Sequence, residues 1–344
     1  MKKNKKMIQL FRAILIIASL FSLTFVPWIL VKAWIKPLPK TVQEQVYQAI
    51  DYGFDGMIVY VDQKGKAPAF YTGGYHDRVQ KTPADPKSLF KIASISKLYV
   101  AVSVAKLVKE NKLSLDNTLV DYFPELEERI ENAAEITIKQ MVQHRSGIPN
   151  YTSNPAFWED EQKNKERALD FAIDLPASFK PNRGYEYSNT NYLLLRRILD
   201  QVLGYDHHQY IKENILTPLN LNHTFFSIKE VNLEDVMSGY YVGVDEDFKS
   251  NENGMLATAE DVGKFIRALN DGSVFNDGEN DIYKTIYQYK HGGLVPGYQS
   301  LAEYHKDIDA VVVQFINTTD FEGYEWNLSE IIYNRIVKII TKKQ

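Results

Sequence analysis

The sequence predicts an α+β fold: an antiparallel sheet formed from N- and C-terminal segments and flanked by helices, with a mostly helical insertion between them. Three observations carry this expectation. Short β-rich runs stand near both ends of the body, at 57–61, 69–72, 301–304 and 310–316. The stretch 137–270 reads mostly as helical pattern broken by loops. The last segment, 327–340, has the spacing of an amphipathic helix, with Leu328, Ile331, Ile332, Ile336, Ile339 and Ile340 apolar.

Residues 1–12 form a basic segment carrying Lys2, Lys3, Lys5, Lys6 and Arg12. Residues 13–31 then run without a charge, close to the ~20 apolar residues a helix needs to cross hydrocarbon. This predicts a transmembrane anchor over 13–34, with the basic segment cytoplasmic and the body outside. Pro27 falls late in the run, where it kinks or ends a helix. Val31-Lys32-Ala33 resembles a small-residue cleavage site, so secretion after cleavage near Ala33 is the alternative. Either way the body is exported. Pro37 and Pro39 make 35–40 a short stiff spacer. The folded domain is expected over 41–344, with α/β parts about 41–115 and 285–344 and a helical part about 116–284.

Within that domain, 41–52 has helical spacing, with Val42, Val46, Ala49 and Ile50 apolar. Residues 57–61 and 69–72 read as paired strands, the second ended by Gly73-Gly74. From Ser94 to about Asn111 the pattern is helical, with Leu98, Ala101, Val102, Ala105 and Val108 on one side. Residues 301–304 and 310–316 are joined by Lys306-Asp307-Ile308-Asp309 as a hairpin.

Three short motifs carry chemistry. Ser-x-x-Lys occurs at Ser88/Lys91, Ser94/Lys97 and Ser103/Lys106, so spacing alone decides nothing. Ser94 stands where the helical pattern begins, where free N–H groups and the helix dipole favour developing negative charge. Ser88 follows Pro86 in loop, and Ser103 falls in mid-helix. A lysine with the ordinary pKa of ~10.4 cannot take a proton at neutral pH. Lys97 must therefore be desolvated, or Tyr187 must share the work. In Tyr187-Ser188-Asn189, positions two apart share a side in extended backbone. The phenol is placed to move a proton and the amide to bind a substrate carbonyl. In His291-Gly292-Gly293 the glycines permit close backbone approach to a ligand.

Other classes are excluded. A net charge of −4 gives no basic balance for nucleic acid. With no cysteine, disulfides, thiolate nucleophiles and Cys-based zinc sites are impossible. The seven histidines include no His-Glu-x-x-His, and the adjacent His207 and His208 do not share a helix face. No serine sits in Gly-x-Ser-x-Gly. Neither metal nor cofactor is expected.

Taken together, these motifs resemble the serine β-lactamase-like and penicillin-binding hydrolases, in the branch that holds class C β-lactamases, D-alanyl-D-alanine carboxypeptidases and related esterases. Four more stretches carry the resemblance: Leu89-Phe90-Lys91-Ile92-Ala93, Leu113-Ser114-Leu115-Asp116, Gln143-His144-Arg145-Ser146-Gly147-Ile148-Pro149, and residues 253–261, which begin at Asn253. The resemblance implies a β-lactamase/transpeptidase-like fold. It implies Ser94 as the acylated nucleophile, Lys97 as its proton partner, Tyr187 as general acid/base and Asn189 as a ligand of the substrate amide. Gly293 would let substrate lie along the strand, and the Leu294 N–H would be the second oxyanion donor beside that of Ser94. His291 stands where β-lactamases with Lys-Thr-Gly carry lysine. A partly charged imidazole suits a β-lactam carboxylate less than a fixed ammonium does, which favours peptidase or esterase chemistry. The expected substrate is a D-alanyl amide or ester of peptidoglycan or teichoic acid, or a small ester or amide. The alternatives are a β-lactamase proper, or a non-catalytic binding or sensor domain on the same fold.

Overall fold

A computed structural model describes residues 2–252 and 254–342; Asn253, the first residue of the fourth family-like stretch, lies outside them. The chain begins with α1 (Lys2–Ser22) and α2 (Trp28–Ile35), followed by α3 (Val42–Asp51). Thr41 caps α3 in a capping box with Glu44. Strands β1 (Gly56–Gln63), β2 (Ala69–Asp77) and β3 (Thr82–Pro83) come next. Three long helices follow at intervals: α4 (Ser96–Lys109), α5 (Asn189–Leu203) and α6 (Ala259–Asp271). Strands β4 (His291–Val295), β5 (Tyr298–His305) and β6 (Ala310–Ile316) and helix α7 (Glu325–Lys342) complete the fold.

The six strands form one sheet in the order β3-β2-β1-β6-β5-β4. Every neighbouring pair is antiparallel. The expected union of N- and C-terminal segments is thus the β1–β6 pairing, from Met57 opposite Ile316 to Gln63 opposite Ala310. Both faces of the sheet are buried, and alternation assigns the side chains. Met57, Val59, Val61, Val312 and Ile316 pack with α3 and α7. Ile58, Tyr60, Val311, Val313 and Phe315 face the core that holds α4 and α6. Burial on both faces explains why β6 reads as the unbroken run Ala-Val-Val-Val-Gln-Phe-Ile.

Helix α4 runs through the middle of this second core. The sequence marks one apolar side, yet every residue from Ser96 to Leu107 is buried. Helical segments of the insertion cover its other side, so Lys97 and Lys106 are enclosed as well. Helix α6 falls in the range assigned to the helical part but lies on the sheet, where a Cβ at Gly263 would meet the Tyr60 ring at 2.2 Å. A small sheet unseen in the sequence ties the insertion to the segment before Ser94: Leu256–Ala257 pairs with both Phe90–Lys91 and Thr224–Phe225.

The N-terminal segment differs from a single straight span. Among the described residues no single helix is long and apolar enough to cross a membrane; one bent pair, Gln9–Phe25 with Trp28–Ile35, has that length and composition together. The two meet at 79°, at the Val26-Pro27 break where proline supplies no N–H. Helix α2 packs on the body through Ala33, Ile29 and Leu30. The spacer is also held: Arg335 of α7 donates to the carbonyls of Lys36 (2.6 Å) and Pro37 (2.9 Å) and to Gln45 Oε1 (2.7 Å).

Candidate active site

Ser94 lies two residues before α4, in a 3₁₀ turn over Ala93–Ile95, not in the first turn of the α-helix as the periodicity predicts. Ala93 adopts φ +48°, a left-handed conformation that disfavours a non-glycine residue by ~1–2 kcal/mol. The turn is pinned on both sides. Ile92 N–H donates to Met255 O at 3.1 Å, and Ile95 N–H to Ile92 O at 3.1 Å. Strain at one residue, over-determined by its neighbours, lifts Ser94 out of regular helix.

The three Ser-x-x-Lys pairs separate at once. Ser88 Oγ is 2.8 Å from His76 Nδ1, while Lys91 donates to Asn251 O at 2.7 Å. Ser103 Oγ donates back to Tyr99 O at 2.9 Å, and Lys106 is paired with Glu279 at 2.8 Å. Ser94 and Lys97 meet, with Lys97 Nζ 3.0 Å from Ser94 Oγ.

Tyr187 arrives from the other side and donates its hydroxyl to Ser94 Oγ at 2.7 Å. Asn189, the first residue of α5, accepts from Lys97 Nζ at 2.8 Å and donates through Nδ2 to Thr152 Oγ1 at 3.0 Å. Its backbone N–H donates to Asn150 Oδ1 at 2.9 Å. Asn189 therefore orients the lysine as well as facing the cavity. Burial, with Arg196 adding to it, holds Lys97 well below the ordinary lysine value. Burial pushes the Tyr187 phenol up to about 12. Desolvation disfavours the charged form of each, which leaves a lysine able to accept a proton and a tyrosine that keeps its own.

Strand β4 forms the opposite wall. A Cβ at Gly293 would stand 2.3 Å from Ile92 O, so the glycine lets the strand lie directly against the Ser94 turn. Val295 opposes Tyr298 across a two-residue turn, which makes it a hydrogen-bonded pair. Alternation then directs the Leu294 N–H away from β5, toward the free edge beside the cavity. His291 is less available than expected. Its Nε2 is 2.9 Å from the Tyr287 hydroxyl, and its Nδ1 faces the Gly292 carbonyl. Both ring nitrogens are thus engaged away from Ser94, and burial lowers the imidazole to about 4.

Several residues here were not singled out from sequence. His144 stacks on the Tyr187 ring at 4.4 Å and accepts from the Ser188 N–H at 3.1 Å. Burial lowers it to about 3, so it stays neutral. It lies inside the family-like stretch 143–149, but nothing in that stretch announces contact with Tyr187. Arg196, seven positions after Asn189 and so two turns along the same face of α5, lines the same cavity. That cavity, about 790 Å³, is also lined by Ser94, Lys97, Tyr187, Asn189, His291 and Leu294.

Among the described residues Asp206, His207 and His208 bring three ligand-type atoms within 4.8 Å. Adjacent histidines do come together here, with ring centroids 4.1 Å apart. Asp206 Oδ1 accepts from the His208 N–H at 2.8 Å, and Asp200 Oδ1 lies 2.8 Å from His207 Nδ1. These carboxylates are engaged in capping a short helix and orienting its first imidazole.

Comparison with known proteins shows the family and the fold. The beta-lactamase family profile matches residues 31–285. Protein flp of Staphylococcus aureus (strain MW2) is 27% identical over 285 residues, which cover 73% of this chain and 52% of that protein. The chain thus spans about half the length of the curated relatives it matches first. The D-amino acid amidase from Ochrobactrum anthropi SV3, solved with L-phenylalanine amide, is similar in fold with a TM-score of 0.75 at 24% identity, over 88% of this chain and 98% of the amidase. EstCE1, a hydrolase with promiscuous acyltransferase activity, matches with a TM-score of 0.69 at 19% identity, over 90% of this chain and 98% of its own.

Proposed function

The chain belongs to the beta-lactamase family and is a serine hydrolase of the β-lactamase and penicillin-binding type; from that premise we propose a membrane-anchored extracytoplasmic enzyme that works through an acyl-enzyme on Ser94. Its proposed substrates are D-alanyl amide or ester bonds of cell-envelope polymers. The observation that carries the reading is the double contact at Ser94 Oγ, 3.0 Å from Lys97 Nζ and 2.7 Å from Tyr187 Oη.

In this mechanism the neutral Lys97 amine takes the Ser94 proton as Oγ attacks the substrate carbonyl. The carbonyl oxygen becomes an oxyanion facing the Ser94 and Leu294 N–H groups. Tyr187 gives its proton to the leaving amine or alcohol as the carbonyl–leaving-group bond breaks, and is reprotonated from Lys97. Water then attacks the ester on Ser94. Its proton passes through the same two groups, and the carbon–Oγ bond breaks to release the acid. His144 holds the Tyr187 ring from behind, and Asn189 holds Lys97 in line.

The name of the D-amino acid amidase supports a D-configured amide, and EstCE1 supports ester turnover on this fold. The anchor rests on α1, whose Leu10, Phe11, Ile14, Ile17, Leu20 and Phe21 are all exposed, a surface that suits lipid. Trp28 and Trp34, also exposed, suit a membrane interface. The test is labelling by a fluorescent fluorophosphonate or β-lactam. Adduct formation at Ser94, abolished in Ser94→Ala, is expected; an unlabelled wild-type chain would sink the acyl-enzyme. Turnover of a D-Ala-D-Ala peptide, a short ester and nitrocefin then ranks the bond types, and peptide or ester is expected to lead.

A further inference from the structure

One strong charge in the cavity has no part in the chemistry above. Arg196 projects from α5 and is part-buried against the cavity wall. Among the described residues its guanidinium makes one hydrogen bond, to Ser96 Oγ at 3.3 Å, and no ion pair with a carboxylate. Asp200 stands one turn further along the same helix, where an i,i+4 ion pair would form. It is turned instead to His207, accepting from the backbone N–H at 2.7 Å and lying 2.8 Å from Nδ1. A guanidinium carries five N–H donors in a rigid fork, and burying one without an anion is strongly unfavourable.

Among the described residues the surroundings are short of negative charge. Burial holds Lys97 toward its neutral form, and the one carboxylate that lines the cavity with Arg196, Glu252, already faces Lys229 at 2.7 Å. His207 and His208 line the same cavity, with His208 stacked on Phe226 at 4.5 Å. A second cation is an unfavourable guest here, which turns the Asp206/His207/His208 group away from metal binding and the cavity toward an anion.

The contact with Ser96 points to the half of the substrate concerned. The phenol that must reach the leaving group is backed by His144, with His291 next to it. Arg196 stands two turns past Asn189 on α5 and is bonded to Ser96, two residues from Ser94. A group held there stays within a few atoms of the carbonyl on Ser94 after the leaving group has gone.

We propose that Arg196 forms an anion subsite that binds a carboxylate on the acyl half of the substrate, a few carbons from the scissile carbonyl. The fork geometry suits a planar carboxylate bound through two N–H groups. The inference rests on the acyl-enzyme reading for its direction, and adds to it a substrate class: acyl donors with an acidic side arm.

The test compares three esters on the full-length chain in detergent. They are mono-4-nitrophenyl glutarate, its glutaramate analogue with an amide for the carboxylate, and 4-acetoxybenzoate, whose carboxylate sits on the leaving group. The readout is the ratio of kcat/KM values, so that any loss shared through Lys97 cancels. Wild type should favour the glutarate over the glutaramate by tenfold or more, chiefly through KM. Arg196→Gln should bring that ratio near one, and Arg196→Lys should leave it in between and shows that the site folds. A ratio near one in wild type, an unchanged ratio in Arg196→Gln, or an Arg196 dependence that follows 4-acetoxybenzoate would overturn the proposal. If no ester is turned over and Ser94 takes no fluorophosphonate, the hydrolase reading fails by itself. The subsite is then judged by calorimetry with glutarate on the Ser94→Ala chain. Binding lost on adding Arg196→Gln upholds it, and binding absent or unaltered overturns it.

Discussion

Gly293 and Ile92 leave no room for a side chain between them: a Cβ on the glycine would stand 2.3 Å from the Ile92 carbonyl oxygen and 2.5 Å from Ser300 Oγ. One obstacle is backbone and the other belongs to the neighbouring strand, so neither yields cheaply. Gly293→Ala is therefore expected to push β4 away from the Ser94 turn, destabilising the fold by ~1–3 kcal/mol. It should also slow fluorophosphonate labelling of Ser94. Thermal unfolding and labelling rate check this together; a stable variant that labels at the wild-type rate would contradict the close packing.

Lys97 and Tyr187 each hold one side of Ser94 Oγ. Lys97→Ala and Tyr187→Phe should each lower kcat by ~10²–10⁴, the range for loss of a general acid or base. Acylation in a stopped-flow assay is the measurement. Near-native rates in both would remove the proton route.

The pH profile has a definite sense. With Lys97 as the proposed base, active only when neutral, kcat/KM should rise with pH through its folded-state pKa, which burial and Arg196 place well below 10.5. It should fall again as Tyr187 ionises near 12. Removing the neighbouring cation makes the ammonium easier to keep. In Arg196→Gln the acid limb should therefore move to higher pH, for the glutaramate as much as for the glutarate.

Acid should destabilise the fold through His144 and His291. Both are held neutral by burial, at about 3 and about 4 against an ordinary 6.5. A base with a depressed folded pKa contributes its full stability above the unfolded value. It loses that stability as pH falls from about 6.5 toward the folded pKa, because only the unfolded chain takes up the proton. From pH 7 to pH 5 the loss is about 2 kcal/mol for each imidazole. Urea unfolding at the two pH values measures it, and His144→Gln should flatten the dependence.

Lys106 and Glu279 form an ion pair with each side chain only 4% exposed. Lys106→Met leaves a buried carboxylate without its partner and should destabilise by ~3–5 kcal/mol. Denaturant titration checks the figure; a loss under 1 kcal/mol would mean that water reaches the pair.

The paired central strands are legible in the sequence because burial on both faces leaves long apolar runs at β1 and β6. Ser94, Lys97 and Tyr187 are legible as a set because chemistry restricts their types and the motifs lie in a recognisable order. The turn at Ser94 is not, since its geometry depends on Phe90–Lys91 pairing with Leu256–Ala257, partners far apart in the chain and two residues long. His144 and Arg196 escape for another reason. Each is a single polar residue whose meaning comes from what it stacks on or lacks, and neither fact is written in local spacing.

Arg335 grips the carbonyls that follow α2, and Gln314 of the central strand β6 donates to Ser329 Oγ at 2.8 Å on the same terminal helix. The join between α2 and the body is thus a splint, not a leash. A chain trimmed to start at Thr41 would strip Ala33 and Leu38 from their seats, leaving the last helix with a bare greasy flank. A pull on α2 is handed on through the last helix to the middle of the sheet, so the cavity keeps its bearing relative to α2.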